Sequence, residues 1–171
     1  PTSDNFDEPL YETLNNTELT LDEHKQLKAL CENLGIDYLC TPFSAVAADI
    51  LDKELDLKAF KTGSGELTNI PLLKHIASKG RPMIISTGMA LIEEIQETVD
   101  AIKETGTPFA LTHCVSAYPT PYNRVNLHNI PRYRELFNVP VGLSDHSIGI
   151  YTAIGSVALG ASIIEKHFTL D

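Results

Sequence analysis

From Thr20 onward, stretches with helical spacing of apolar residues alternate with short continuous apolar runs. Thr20-Leu21-Asp22-Glu23 reads as a capping box, a hydroxyl for one free amide and a carboxylate reaching back. Leu27, Leu30, Cys31 and Leu34 follow at helical spacing, and Gly35 supplies a left-handed stop. Ile36 to Thr41 is a short apolar run before Pro42 and predicts a strand. Asp49 to Leu55 predicts a helix, then Leu57 to Lys61 a strand closed by Gly63-Ser64-Gly65. Asn69 caps a helix with Pro71 in its first turn and Gly80 after its end. Met83-Ile84-Ile85 predicts a strand entering Ser86-Thr87-Gly88, and Ile92, Ile95, Val99 and Ile102 a helix stopped by Gly106. A strand at Phe109 to His113 leads into a loop with Pro119, Pro121 and Pro131, then a short helix near Tyr133 to Phe137. Val141 to Ser144 predicts a strand, Tyr151 to Leu159 a helix, and Ser162 to Phe168 a last strand. Residues 1–19 are acidic and polar without a period and read as a loop or arm, leaving 20–171 as one domain.

Six strands alternating with helices point to βαβ units and a parallel sheet. An open doubly wound sheet and a closed barrel both fit that count. The polar residues favour the barrel, because nearly every strand ends in a polar cluster. Those ends are Thr41-Pro42, Lys61 to Glu66, Ser86-Thr87-Gly88, His113 to Ser116, Ser144-Asp145-His146 and Glu165-Lys166-His167. In a (β/α)8 barrel all C-terminal strand ends face one mouth, whereas an open sheet uses only its switch point. The expected fold is therefore an α/β, TIM-type (β/α)8 barrel, here an incomplete portion with about six βα units. A complete barrel usually takes about 250 residues.

Composition narrows the partners. Thirteen Lys plus Arg against 23 Asp plus Glu leave a formal charge of −10. Phosphate-backbone binding needs a basic surface, so nucleic acid is excluded. No apolar run approaches the ~20 residues that span a bilayer, and no membrane is expected. Cys31, Cys40 and Cys114 are scattered and odd in number, which predicts reduced thiols and a cytoplasmic location. The chain opens at Pro1 without an initiator methionine, which leads us to expect a processed chain or a piece of a longer protein.

Chemistry concentrates at the strand ends. Gly63-Ser64-Gly65 behind Lys61 has two readings, an oxyanion nest with a point charge or a tight turn with a surface lysine. Ser86-Thr87-Gly88 repeats the device on the next strand, and the pair together points to an anionic ligand such as phosphate. His146 and His167 close two strands separated by one helix, with Asp145 and Glu165 beside them. Side by side they suit one Mn, Fe, Co or Zn ion; alone, each would be an ordinary satisfied histidine. Glu165 is the acid/base or substrate-hydroxyl candidate, because strand ends hold geometry. His113 lies next to Cys114 without a carboxylate and reads as structural. His24, His75 and His128 read as solvated.

Six strings carry a resemblance: Cys-Thr-Pro-Phe at 40–43, Lys-Thr-Gly-Ser-Gly-Glu at 61–66, Ile-Ser-Thr-Gly-Met at 85–89, His-Cys-Val-Ser-Ala-Tyr-Pro-Thr-Pro at 113–121, Gly-Leu-Ser-Asp-His at 142–146 and Glu-Lys-His-Phe-Thr-Leu-Asp at 165–171. In this order they resemble the N-acetylneuraminate (sialic acid) synthase family. The resemblance implies a cytoplasmic barrel transferase that condenses phosphoenolpyruvate with an N-acetylated amino sugar, such as N-acetylmannosamine, into a nine-carbon sugar. It implies that His146 and His167 hold a divalent metal, Mn first, with Mg or Co as alternatives. It implies that Thr41, Lys61, Ser64, Ser86 and Ser116 meet phosphoenolpyruvate. Ser116 stands where some members carry Asn. Tyr118 and Glu165 would meet the sugar, and Asp145 and Glu165 are the expected catalytic carboxylates. The family also implies two strands before this segment, an antifreeze-like domain after it, and a homodimer or higher self-association. Competing readings are a non-catalytic phosphate- and metal-binding module, or another metal-dependent barrel lyase or aldolase with Lys61 or Lys166 as Schiff-base amine.

Overall fold

The computed structural model describes residues 9–168. The chain divides into two compact units, residues 1–38 and 39–171. The first holds α1 (Leu10–Thr17) and α2 (Leu21–Asn33). Part of the stretch expected as a loop is thus helical: Pro9 precedes α1, and Thr17 Oγ1 donates to the Thr13 carbonyl at 2.8 Å. The capping box on α2 forms as read, with Glu23 N–H donating to Thr20 Oγ1 at 3.3 Å and Thr20 N–H to Glu23 Oε2 at 2.7 Å.

The second unit contains α3 (Ala45–Leu55), β1 (Phe60–Thr62), α4 (Ile70–Ala77), β2 (Met83–Ser86) and α5 (Ile92–Lys103). It continues through β3 (Phe109–Cys114), α6 (Asn129–Phe137), β4 (Val141–Asp145), α7 (Tyr151–Ala158) and β5 (Ile164–Lys166). The five strands are all parallel and pair in chain order, β1-β2-β3-β4-β5. The sixth expected strand, Ile36 to Thr41, is absent. Its first amide is committed elsewhere, because Ile36 N–H donates to the Cys31 carbonyl at 3.0 Å and closes α2 behind Gly35. The described portion therefore holds five strands rather than about six.

Register decides what each face carries. Phe60, Met83, Ile85, Leu111, Val141 and Leu143 share one face and are buried, together with Leu73 and Ile76 of α4, Ile95, Val99 and Ile102 of α5, and Ile130 and Phe137 of α6. That is the apolar core between sheet and helices. Side chains alternate along a strand, so Lys61, Ser86, Thr112, Cys114, Ser144 and Glu165 fall on the other face. There Lys61 Nζ donates to Ser86 Oγ at 2.7 Å, and Ser86 Oγ lies 2.8 Å from Thr112 Oγ1.

The sheet curls around this polar face. A flat five-stranded sheet would hold its outer strands about 19 Å apart, at ~4.8 Å per step. Yet Lys61 Nζ of β1 lies 3.5 Å from Glu165 Oε2 of β5. The architecture is an α/β half-barrel with helices outside. Among the described residues no helix is long and apolar enough to cross a membrane.

Candidate active site

The C-terminal ends of the strands and the loops behind them surround a cavity of about 650 Å³. Each loop delivers one or two polar groups. Lys61 sits inside β1, 8% exposed, and also donates to the Thr62 carbonyl at 2.7 Å. Burial pulls its ammonium below the usual lysine range, against the opposing pull of Glu165. A partly desolvated cation gains more from an anionic ligand than a hydrated one.

Gly88 brings three loops together. Its N–H donates to Ser64 Oγ at 3.0 Å. A Cβ there would lie 2.5 Å from Ser116 Oγ and 2.7 Å from Ser64 Oγ. Only glycine lets both hydroxyls approach the β2 loop this closely. Met89 follows with φ of 61°, a left-handed value few non-glycine residues adopt, and its side chain enters the cavity wall.

The two histidines meet at the far side. Their ring centroids are 5.3 Å apart, and Tyr118 stacks on His146 at 4.0 Å. His146 Nδ1 is 2.9 Å from the Val115 carbonyl, so that nitrogen carries the proton and Nε2 keeps its lone pair. Burial holds the His146 imidazole below its usual pKa, with the Val115 carbonyl pulling the other way. Burial pushes the Tyr118 phenol up. The proline loop is tied to the same place, because Thr120 N–H donates to the His146 carbonyl at 2.9 Å.

Thr41, Lys61, Ser64, Ser86, Ser116, Tyr118, His146, Glu165 and His167 all line this one cavity. Asp145 does not join them. Strand alternation turns it to the helix side of β4, where it is 2% exposed and enclosed by Ser147, Thr152 and Lys166. The expectation of a catalytic Asp145 rested on its place beside His146, and adjacent residues on a strand face opposite ways. His113 likewise turns outward, with Nε2 donating to the Val125 carbonyl at 2.6 Å. His24 and His75, expected as solvated, are half-buried and bonded to Tyr38 and Asp49.

Cys114 and Ser144 line the cavity although sequence reading did not select them. Their parity with Ser86 and Glu165 was the available signal, but it needs the strand register. Phe43 and Met89 also form wall; each ends one of the strings that carry the resemblance, but neither was assigned a role there.

Comparison with known proteins matches the NeuB family over residues 2–171. The N,N'-diacetyllegionaminic acid synthase of Campylobacter jejuni is 43% identical over 168 residues, 96% of this chain and 50% of that protein. Human N-acetylneuraminate-9-phosphate synthase is 37% identical over 155 residues, 90% of this chain and 43% of that protein. A solved N-acetylneuraminic acid (sialic acid) synthetase from Leptospira borgpetersenii superposes with a TM-score of 0.90 at 36% identity, covering 98% of this chain and 59% of that one. The chain spans about half the length of the curated relatives it matches.

Proposed function

The chain belongs to the NeuB family, and from that premise we propose that it forms the catalytic barrel portion of a sialic-acid-type synthase. Phosphoenolpyruvate condenses with the aldehyde of an N-acetylated amino sugar to give a nine-carbon acid and free phosphate. Carbon 3 of the enol forms the new bond to the aldehyde carbon; water then adds at carbon 2 and phosphate departs.

One observation carries the reading: a buried ammonium, four serine residues and a pair of imidazoles line the same cavity. Lys61 and the Ser64, Ser86 and Ser116 hydroxyls bind the phosphate and carboxylate, neutralising them without a strong acid that would protonate the enol. Thr41 adds a hydroxyl on the same wall. Glu165, opposite Lys61, orients a sugar hydroxyl and stands ready to take a proton from attacking water. Tyr118, stacked over His146, covers the sugar side and excludes water.

His146 and His167 would hold a divalent cation, with Mn the first choice. The donor set fits: two imidazoles, one with its tautomer set by Val115, leave the remaining positions for water or substrate oxygen. When bound, the ion supplies Lewis-acid polarisation of the aldehyde oxygen.

Calorimetric titration tests this. Lys61→Met should weaken phosphoenolpyruvate binding about 10- to 150-fold, the loss of one charge-assisted hydrogen bond of roughly 1.5–3 kcal/mol, and leave Mn binding intact. His146→Ala and His167→Ala should do the reverse. Unchanged affinities in all three variants would reject the assignment. A Schiff-base aldolase is the second reading, favoured by the depressed pKa of Lys61. Borohydride reduction with pyruvate would trap a covalent adduct on Lys61 under that reading and none under the first.

A further inference from the structure

Behind the two imidazoles, on the helix side of the sheet, lies a cluster the proposed chemistry does not use. Asp145 and Lys166 are register partners on β4 and β5. The Asp145 side chain is 1% exposed, and all its neighbours donate to it. Its Oδ2 accepts from Lys166 Nζ at 2.9 Å and Thr152 Oγ1 at 2.6 Å, and its Oδ1 from the Ser147 N–H at 2.9 Å. Lys166 Nζ also donates to the Ser147 carbonyl at 2.6 Å.

We infer that this cluster is a positioning unit that sets how the two imidazoles stand to each other. One ammonium ties together the residue before His146, the residue after it and the residue before His167. The Lys166 ammonium thereby bridges both histidine-bearing turns by hydrogen bonds from a single group. The β4–β5 ladder already joins the strands by backbone bonds, among them Leu143 N–H to the Ile163 carbonyl at 2.8 Å. That ladder ends where the histidines begin. Beyond it the chain leaves regular structure: Thr120 and Val115 hold the His146 turn, Tyr118 packs on both rings from the cavity side, and the cluster joins the two turns from the helix side. Thr152 adds the first turn of α7 to the same brace.

A buried ion pair is a poor device for stability alone. Its desolvation cost offsets most of its attraction, and an apolar pair of similar volume often serves as well or better. A pair whose task is stability is therefore replaceable by hydrophobic residues; a pair that orients neighbouring ligands is not. Residues that orient metal ligands typically alter metal affinity 10- to 100-fold when changed.

The inference rests on the reading of His146 and His167 as metal ligands, and the test separates the two. Mn affinity is measured by calorimetry, and Mn coordination by electron paramagnetic resonance, alongside urea unfolding, for four variants. Lys166→Met should lower Mn affinity 10- to 100-fold, and Lys166→Arg should recover most of it. Asp145→Leu/Lys166→Met should regain stability near that of the unaltered chain yet keep the weakened Mn affinity and a changed resonance spectrum. His146→Ala is the control and should abolish binding. If the double variant is stable and binds Mn as tightly as the unaltered chain, the cluster is structural only and the inference fails. If His146→Ala leaves Mn affinity unchanged, the metal reading itself fails, and the positioning role with it. Should Lys166→Met not fold, the double variant decides alone.

Discussion

A methyl group at position 88 would stand within 2.7 Å of both Ser64 Oγ and Ser116 Oγ. Gly88→Ala must rotate both hydroxyls away and break the Gly88–Ser64 hydrogen bond. We expect phosphoenolpyruvate binding to fall at least 10-fold in calorimetry while the urea midpoint moves little, because short serine side chains yield easily. A large stability loss with unchanged affinity would place these hydroxyls outside the anion site. His113 makes a prediction of a different kind. Burial holds its pKa below the usual histidine value, only partly opposed by its bond to the Val125 carbonyl. A histidine kept neutral in the fold is protonated first in the unfolded chain, whose pKa is about 6.5. Stability should therefore decline as pH falls below about 6.5. His113→Gln keeps a donor towards Val125 and cannot titrate, so its urea midpoint should fall less between pH 7 and 5. An identical pH slope in the variant would show that other groups carry the effect.

Between elements, β4 and the segment entering β5 approach closely at Gly142. Glycine is required at 142 because the residue leading into β5 passes directly against it; a Cβ would press into the backbone and side chain of Ile163. Gly142→Ala should destabilise by about 1–3 kcal/mol, the usual range for overpacking, read as a shift in the denaturation midpoint. The loss should come with weaker Mn binding, since the strand that Ile163 leads into runs on to His167 at its C-terminal end. Helix ends were read well from sequence for a local reason. Capping involves residues within four positions of one another, so Thr20/Glu23, Asn69/Leu72 and the left-handed glycines 35, 80 and 106 were visible without any fold. Helix starts at Ala45 and Asn129 lay upstream of the apolar period and were missed. The Ile36–Thr41 run misled because apolar composition permits a strand but only a partner makes one.

Across the whole fold, Lys61 and Glu165 join the first strand of the sheet to the last. Their contact exists only because the sheet curls. A double-mutant cycle with Lys61→Met and Glu165→Gln should give a coupling energy of about 0.5–1 kcal/mol, the low part of the range for residues in contact, since Glu165 is partly exposed. Additive effects would mean that the outer strands do not meet in solution. The same curl turns scattered polar residues into one cavity, and it accounts for why residues as far apart as Thr41 and His167 line it together.

Local order along the chain was sufficient to establish the βα alternation, the caps, the acidic charge and the strand ends where chemistry gathers. Those features depend on neighbours in sequence or on composition. Facing was not available, because a strand has two sides and its parity is set by the register of its partners. That is why Asp145 was grouped with the cavity residues in sequence yet points to the helices, while Cys114 and Ser144 were passed over and line the cavity. The strand count and the curl likewise depend on hydrogen bonds between segments more than twenty residues apart, and no period within one segment encodes them.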